Sequence, residues 1–74
     1  MDVIAGKKYR HFKGHIYEVI GIAKDSETLE EMVVYQNVQN KDMWVRLLKD
    51  FTSDVDKNKY PLVKQTKRFE ELND

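Results

Sequence analysis

The stretch MVVYQNVQNKDMWVRLL, residues 32–48, decides the fold. Two runs rich in β-branched and aromatic residues, Met32–Val38 and Met43–Leu48, flank the polar tetrad Gln39-Asn40-Lys41-Asp42. Valine, tyrosine and tryptophan suit a pleated, half-buried surface, and a polar cluster between two such runs is a turn signal. A β-hairpin is therefore expected. Side chains alternate between the two faces of a strand. In the second run Met43, Val45 and Leu47 are all apolar and form the natural core set, while Trp44, Arg46 and Leu48 are mixed. If Val34 and Val38 of the first run also point inward, Tyr35 faces outward beside Trp44 and Arg46 as a cross-strand neighbour. The plainer arrangement buries both aromatics in the core and lets Arg46 lay its stem along them with its charge in water.

Outward from the hairpin, Lys8–Phe12 and Ile16–Lys24 carry strand-forming residues on either side of the turn signal Lys13-Gly14-His15. Gly21, inside the second of these strands, marks a bulge or a sharp bend. Asp25–Glu31 is acidic and polar. Its Thr28 and Glu31 have capping-box spacing, but the stretch is too short for a helix and is expected to be a loop. Leu48, Phe51 and Val55, at i, i+3 and i+7, suit one or two helical turns within Leu47–Val55. Asp54–Tyr60 is a polar loop, and Gln65–Phe69 supplies a short closing strand before the tail. The expected fold is mainly β: a small SH3-like barrel of four to five antiparallel strands with one short helical turn. It is a single domain over residues 1–74 with its core at about 6–69. Closure into a barrel would remove exposed sheet edges. An open antiparallel sheet with one helix across it is the alternative.

Composition narrows the function classes. A chain of 74 residues buries roughly 60% of the surface its unfolded form exposes, so few residues can be spared from the core. It has no cysteine, which excludes a disulfide framework and thiolate zinc sites and fits a cytoplasmic protein. Thirteen Lys and Arg balance thirteen Asp and Glu, so binding to nucleic acid or an anionic membrane through global charge is not expected, though a local patch could still bind. The apolar runs fall far short of the ~20 residues a membrane span needs, and Met1–Lys8 lacks the apolar core of a signal peptide. A soluble intracellular protein is the expectation.

Tyr9-Arg10-His11-Phe12-Lys13-Gly14 interleaves cations and aromatics, the mixture a phosphate or nucleotide site uses, although an ordinary strand with one solvated face gives the same pattern. His11 and His15 are four apart, but Gly14 and the β pattern break any helix that would align them on a metal, and no third ligand stands out. No metal or cofactor is expected. The carboxylates of Asp25–Glu31 belong to a solvated loop, and Glu27 is expected to pair with Arg10, Arg46 or Arg68. Neither Ser26 nor Ser53 has the setting of an activated nucleophile, and there is no glycine-rich phosphate loop. An enzyme is not expected.

Taken together, Tyr9–Gly14, Tyr17-Glu18-Val19, Ser26-Glu27-Thr28 with Glu30, Val33–Gln36, Trp44-Val45-Arg46 and Arg68-Phe69 resemble domain-of-unknown-function family 1653, a family of short, mostly bacterial proteins and domains. The resemblance runs from about Gly6 to Phe69. Two departures stand out: Leu47 where the family tends to have proline, and Asp50 where it tends to have methionine. The resemblance implies a signature at Tyr9 to Lys13, Glu27, Thr28, Tyr35, Trp44, Arg46, Arg68 and Phe69. Many of these are polar, which favours a shared ligand site over a purely structural network. The expected role is a non-catalytic binding module. Arg10, His11, Glu27, Tyr35, Trp44 and Arg46 would form its groove, with Arg46 gripping an anionic group and Trp44 or Tyr35 stacking on a planar part. An adaptor with an SH3-like peptide groove is the alternative, and a signature with no ligand site is a third. The partners left open are an anionic small molecule, a nucleic-acid segment, a peptide, or a second copy in a weak homodimer.

Overall fold

A computed structural model describes residues 3–72. The chain runs β1 (Lys8–His11), β2 (Ile16–Lys24), β3 (Glu31–Asn37), β4 (Met43–Leu47), α1 (Leu48–Phe51) and β5 (Phe69–Glu71). Every pairing is antiparallel, in the order β4-β3-β2-β1-β5. The first four strands form a meander whose turns are written locally. Gly14, at φ +105, supplies the left-handed residue between β1 and β2, and its N–H donates to the His11 carbonyl at 2.8 Å. Asn37 closes the β3–β4 turn by accepting on Oδ1 from the N–H groups of Gln39 at 2.8 Å and Asn40 at 3.2 Å. In the β2–β3 loop Asp25 Oδ1 accepts from the N–H of Glu27 and of Thr28, and these bonds hold its carboxyl below the usual range. No helix forms at Thr28, whose hydroxyl accepts from the Glu30 N–H instead. The register shift between Val19 and Gly21 is the bulge expected at Gly21.

Three expectations are corrected. The sheet is open: β4 and β5 are its two edges and are not paired with each other, so the barrel is not closed. The last strand lies at Phe69–Glu71, beyond the expected Gln65–Phe69, because residues 65–68 are spent binding the segment to its neighbours. Gln65 Nε2 donates to the Arg10 carbonyl at 3.0 Å and to the Lys67 carbonyl at 2.8 Å. The third correction inverts the core face of the hairpin. Val33 and Tyr35 are buried, whereas Met43 and Val45 are 56% and 58% exposed.

The cause is ring volume. The core consists of Tyr9, Val19, Val33, Tyr35, Phe51 and Phe69. Phe51 and Phe69 stack at 4.0 Å between centroids, and Tyr35 meets both edge-on at 5.4 Å. Tyr9 meets Phe51 edge-on at 5.3 Å. Each buried ring removes more apolar surface from water than a valine, so the aromatic face of β1 and β3 wins the interior over the aliphatic one. The tyrosine hydroxyls tolerate this because each reaches a partner: Tyr9 donates to Glu71 Oε1 and Tyr35 accepts from Arg46 Nε, both at 3.5 Å. α1 delivers Phe51 into the core, within the helical turns expected there.

Candidate functional site

Tyr35, Trp44 and Arg46 do share one face, because Tyr35 pairs with Trp44 and Val33 with Arg46 across the hairpin. That face is the one on which the core rings pack. Arg46 leans inward from the sheet edge, its guanidinium carbon 5.8 Å from the Phe69 ring centroid. His11, at the end of β1, lies over the same ring at 4.9 Å and stacks on Phe12 at 4.4 Å. Phe12 continues to Tyr60 at 4.9 Å. The His11–Phe12–Tyr60 row and Arg46 line a cavity of about 260 Å³.

Its remaining lining comes from the segment between α1 and β5. This segment is tied across its base by the Asp54–Lys67 bridge, by the Val55 N–H to the Thr66 carbonyl at 2.8 Å, and by a 2.9 Å ion pair between Lys67 and Asp54. The Lys57 ammonium donates to the carbonyls of Val63 and Gln65, folding the tip back. The fold thereby brings Asp56, Lys59, Tyr60 and Arg68 to the cavity, where Lys13 joins them from the β1–β2 turn.

The electrostatics are one-sided. Lys13, Arg46, Lys59 and Arg68 face one carboxylate, Asp56, whose Oδ1 already accepts from the N–H groups of Asn58 and Lys59. Both arginines are held by Nε. Arg46 Nε donates to the Tyr35 hydroxyl at 3.5 Å, and Arg68 Nε donates to Ser53 Oγ at 3.1 Å, while Ser53 donates on to the Asp50 carbonyl. Among the described residues neither arginine has a carboxylate within salt-bridge distance. Burial, reinforced by Arg46, Lys13, Arg68 and His15, pushes His11 from 6.5 down to about 4. His11 is therefore neutral near pH 7. Its Nδ1 accepts from the Lys13 N–H at 3.1 Å, which places the ring proton on Nε2 as a donor.

Of the residues expected in a groove, His11 and Arg46 line this cavity and Tyr35 lies beneath it as the anchor of Arg46. Trp44 is on the same face but stands at the sheet edge, 52% exposed, and does not line the cavity. Arg10 pairs in register with Glu70 one residue out of phase with Tyr9 and His11, so it points to the opposite face. Glu27 sits in the β2–β3 loop beside a separate cavity with Asp25 and Thr28, and it makes no ion pair among the described residues. The role expected of Glu27 as arginine anchor is filled by Tyr35 and Ser53. Sequence reasoning missed Lys59, Tyr60 and Asp56. The signal for them was Lys59-Tyr60, a cation–aromatic pair like Arg68-Phe69 and Phe12-Lys13, inside what looked like a solvated loop.

Fold and site together define a small, mainly β domain with an aromatic-walled, cationic pocket. The chain belongs to the family described as Protein of unknown function (DUF1653), which it matches over residues 7–71. No curated protein and no solved structure matches it. Among the described residues, no helix is long and apolar enough to cross a membrane.

Proposed function

We propose that the protein is a non-catalytic binding module that holds a small anionic group, a phosphate or carboxylate, in the pocket between the β1–β2 turn, β4 and residues 56–68. The observation that carries this reading is the gathering of Lys13, Arg46, Lys59 and Arg68 around one cavity with a single, internally engaged carboxylate. Like charges held together raise the free energy of the empty site, and they add to burial, the larger cause, in lowering His11. An anion would relieve the repulsion and accept charge-assisted hydrogen bonds from the two guanidinium forks and from His11 Nε2–H. Phe12 and Tyr60, packed on each other, would offer an aromatic surface to a planar substituent, which extends the reading to a nucleotide or nucleic-acid segment. The order β4-β3-β2-β1-β5, with a single helical turn before β5, supports an SH3-like relationship for the sheet.

The test is a titration of the whole protein with inorganic phosphate and then with a nucleoside monophosphate, followed through the amide and His11 ring resonances. Binding should shift Lys13, Arg46 and Arg68 and raise the His11 pKa. It should weaken with added salt, and it should fall at least about tenfold in Arg68→Gln and in Arg46→Gln. No shift at ~10 mM of either probe, or shifts confined to the β2–β3 loop, would overturn it.

A further inference from the structure

Among the described residues β4 has no strand neighbour on its outer side. The Asn37 N–H donates to the Asp42 carbonyl at 2.9 Å, and the same register continues through Tyr35↔Trp44 and Val33↔Arg46. Hydrogen-bonded pairs recur at every second residue of an antiparallel ladder. The N–H and C=O groups of Trp44 and Arg46 therefore face β3, and those of Met43, Val45 and Leu47 face the free edge. Exposed edges are usually guarded by a lysine, a proline or a bulge. Met43–Leu47 has none of these, and its pairing with β3 is unbroken. Its one charge, Arg46, is turned inward over Phe69. Met43, Trp44 and Val45 are three consecutive large apolar residues, each more than half exposed.

We propose that two copies of this chain pair β4 to β4, antiparallel, about a two-fold axis at Val45. The strand is self-complementary in this register. Val45 faces Val45, Met43 faces Leu47, and Trp44 faces Arg46 of the second copy. All the edge-facing groups of Met43, Val45 and Leu47 find partners, and the apolar side chains of these residues meet on one face. On the other face the indole of Trp44 covers the aliphatic stem of the second copy's Arg46. Moving the axis one residue, to Trp44 or to Arg46, sets Leu47 against Lys41, in the turn at φ +67, or Met43 against Lys49, in α1. Either shift costs the ladder one of its pairs at each end, so the register centred on Val45 is the one that pairs all five strand residues. The axis is perpendicular to the sheet, so both pockets stay on one face and the pairing does not rest on what they bind. A five-residue seam is about 17 Å long, which places the interface at the small end of the range.

Sedimentation of the intact protein from ~5 µM to ~500 µM tests this. A monomer–dimer equilibrium is expected, with Trp44 emission moving to shorter wavelength as dimer forms. Val45→Pro removes only an edge-facing N–H, and Val45→Lys restores the missing guard. Each should weaken association at least about tenfold while leaving the circular dichroism of the dilute protein unchanged. If Val45→Pro is poorly folded, Val45→Lys decides. Arg68→Gln should dimerise like the unmodified chain, which separates this proposal from the anion pocket. A single monomeric species to ~500 µM, or a dimer that Val45→Lys leaves intact, overturns it.

Discussion

His11 should make this domain acid-sensitive in a way one substitution can remove. Its pKa falls from 6.5 to about 4 because the ring is partly buried and faces Arg46, Lys13 and Arg68. Between these values the unfolded chain binds a proton that the folded chain does not. Stability is therefore unaffected above about pH 6.5, declines as the pH falls toward 4, and declines no further from this source below that. The full depression corresponds to about 3.4 kcal/mol at about 1.4 kcal/mol per tenfold change in proton affinity. Partial solvent access and counter-ions screen it, so a loss of about 1.5 kcal/mol is expected between about pH 7 and pH 5. His11→Asn keeps an acceptor for the Lys13 N–H but cannot titrate. The variant should be less stable than the parent near pH 7, having lost its contacts with Phe12 and Phe69, yet its stability should fall by about 1.5 kcal/mol less on acidification. Urea unfolding of both proteins at the two pH values measures this. Equal losses in the two proteins, or a His11 ring that titrates near 6.5 by nuclear magnetic resonance, would refute the reasoning.

Phe69→Ala removes the ring on which Phe51, Tyr35 and His11 all pack, and a cost of about 3–5 kcal/mol should leave this small domain largely unfolded by thermal melting at 37 °C. Gly14→Ala should cost about 1–2 kcal/mol through its φ of +105 alone, since no atom stands within 4 Å of an added Cβ. Gly21→Ala, equally free of neighbours and without positive φ, should be neutral or stabilise by about 0.5 kcal/mol in the same denaturant assay. Tyr35→Phe removes the acceptor that orients Arg46 and should change stability by less than about 1 kcal/mol while weakening phosphate binding several-fold by calorimetric titration.

Much of the secondary structure is written locally. β2 has the bounds its composition predicts, the bulge lies at Gly21, and the turn between β3 and β4 falls on the polar tetrad. Gly14, Asn37 and Asp25 fix their turns through their own conformational freedom or side-chain oxygens, so the information lies within a few residues. The co-facial grouping of Tyr35, Trp44 and Arg46 was also legible, because it follows from the period of two and the hairpin register alone.

Which side of that grouping faces inward was not legible. Both faces of the hairpin are apolar enough to be buried, and the choice was made by Phe51 and Phe69. These residues come from outside the hairpin, stack 4.0 Å apart, and recruit the tyrosines. The pocket depends on the same long-range event. Lys59, Tyr60 and Arg68 lie far along the chain from His11 and Lys13, and they reach the cavity through bonds spanning many residues, such as Gln65 to the Arg10 carbonyl and the Asp54–Lys67 bridge. The strands, their turns and the residues that share a face are local outcomes, set by backbone sterics and side-chain alternation. The buried face, the open edge and the cationic pocket are not, because ring packing and charge proximity depend on contacts between residues distant in the chain.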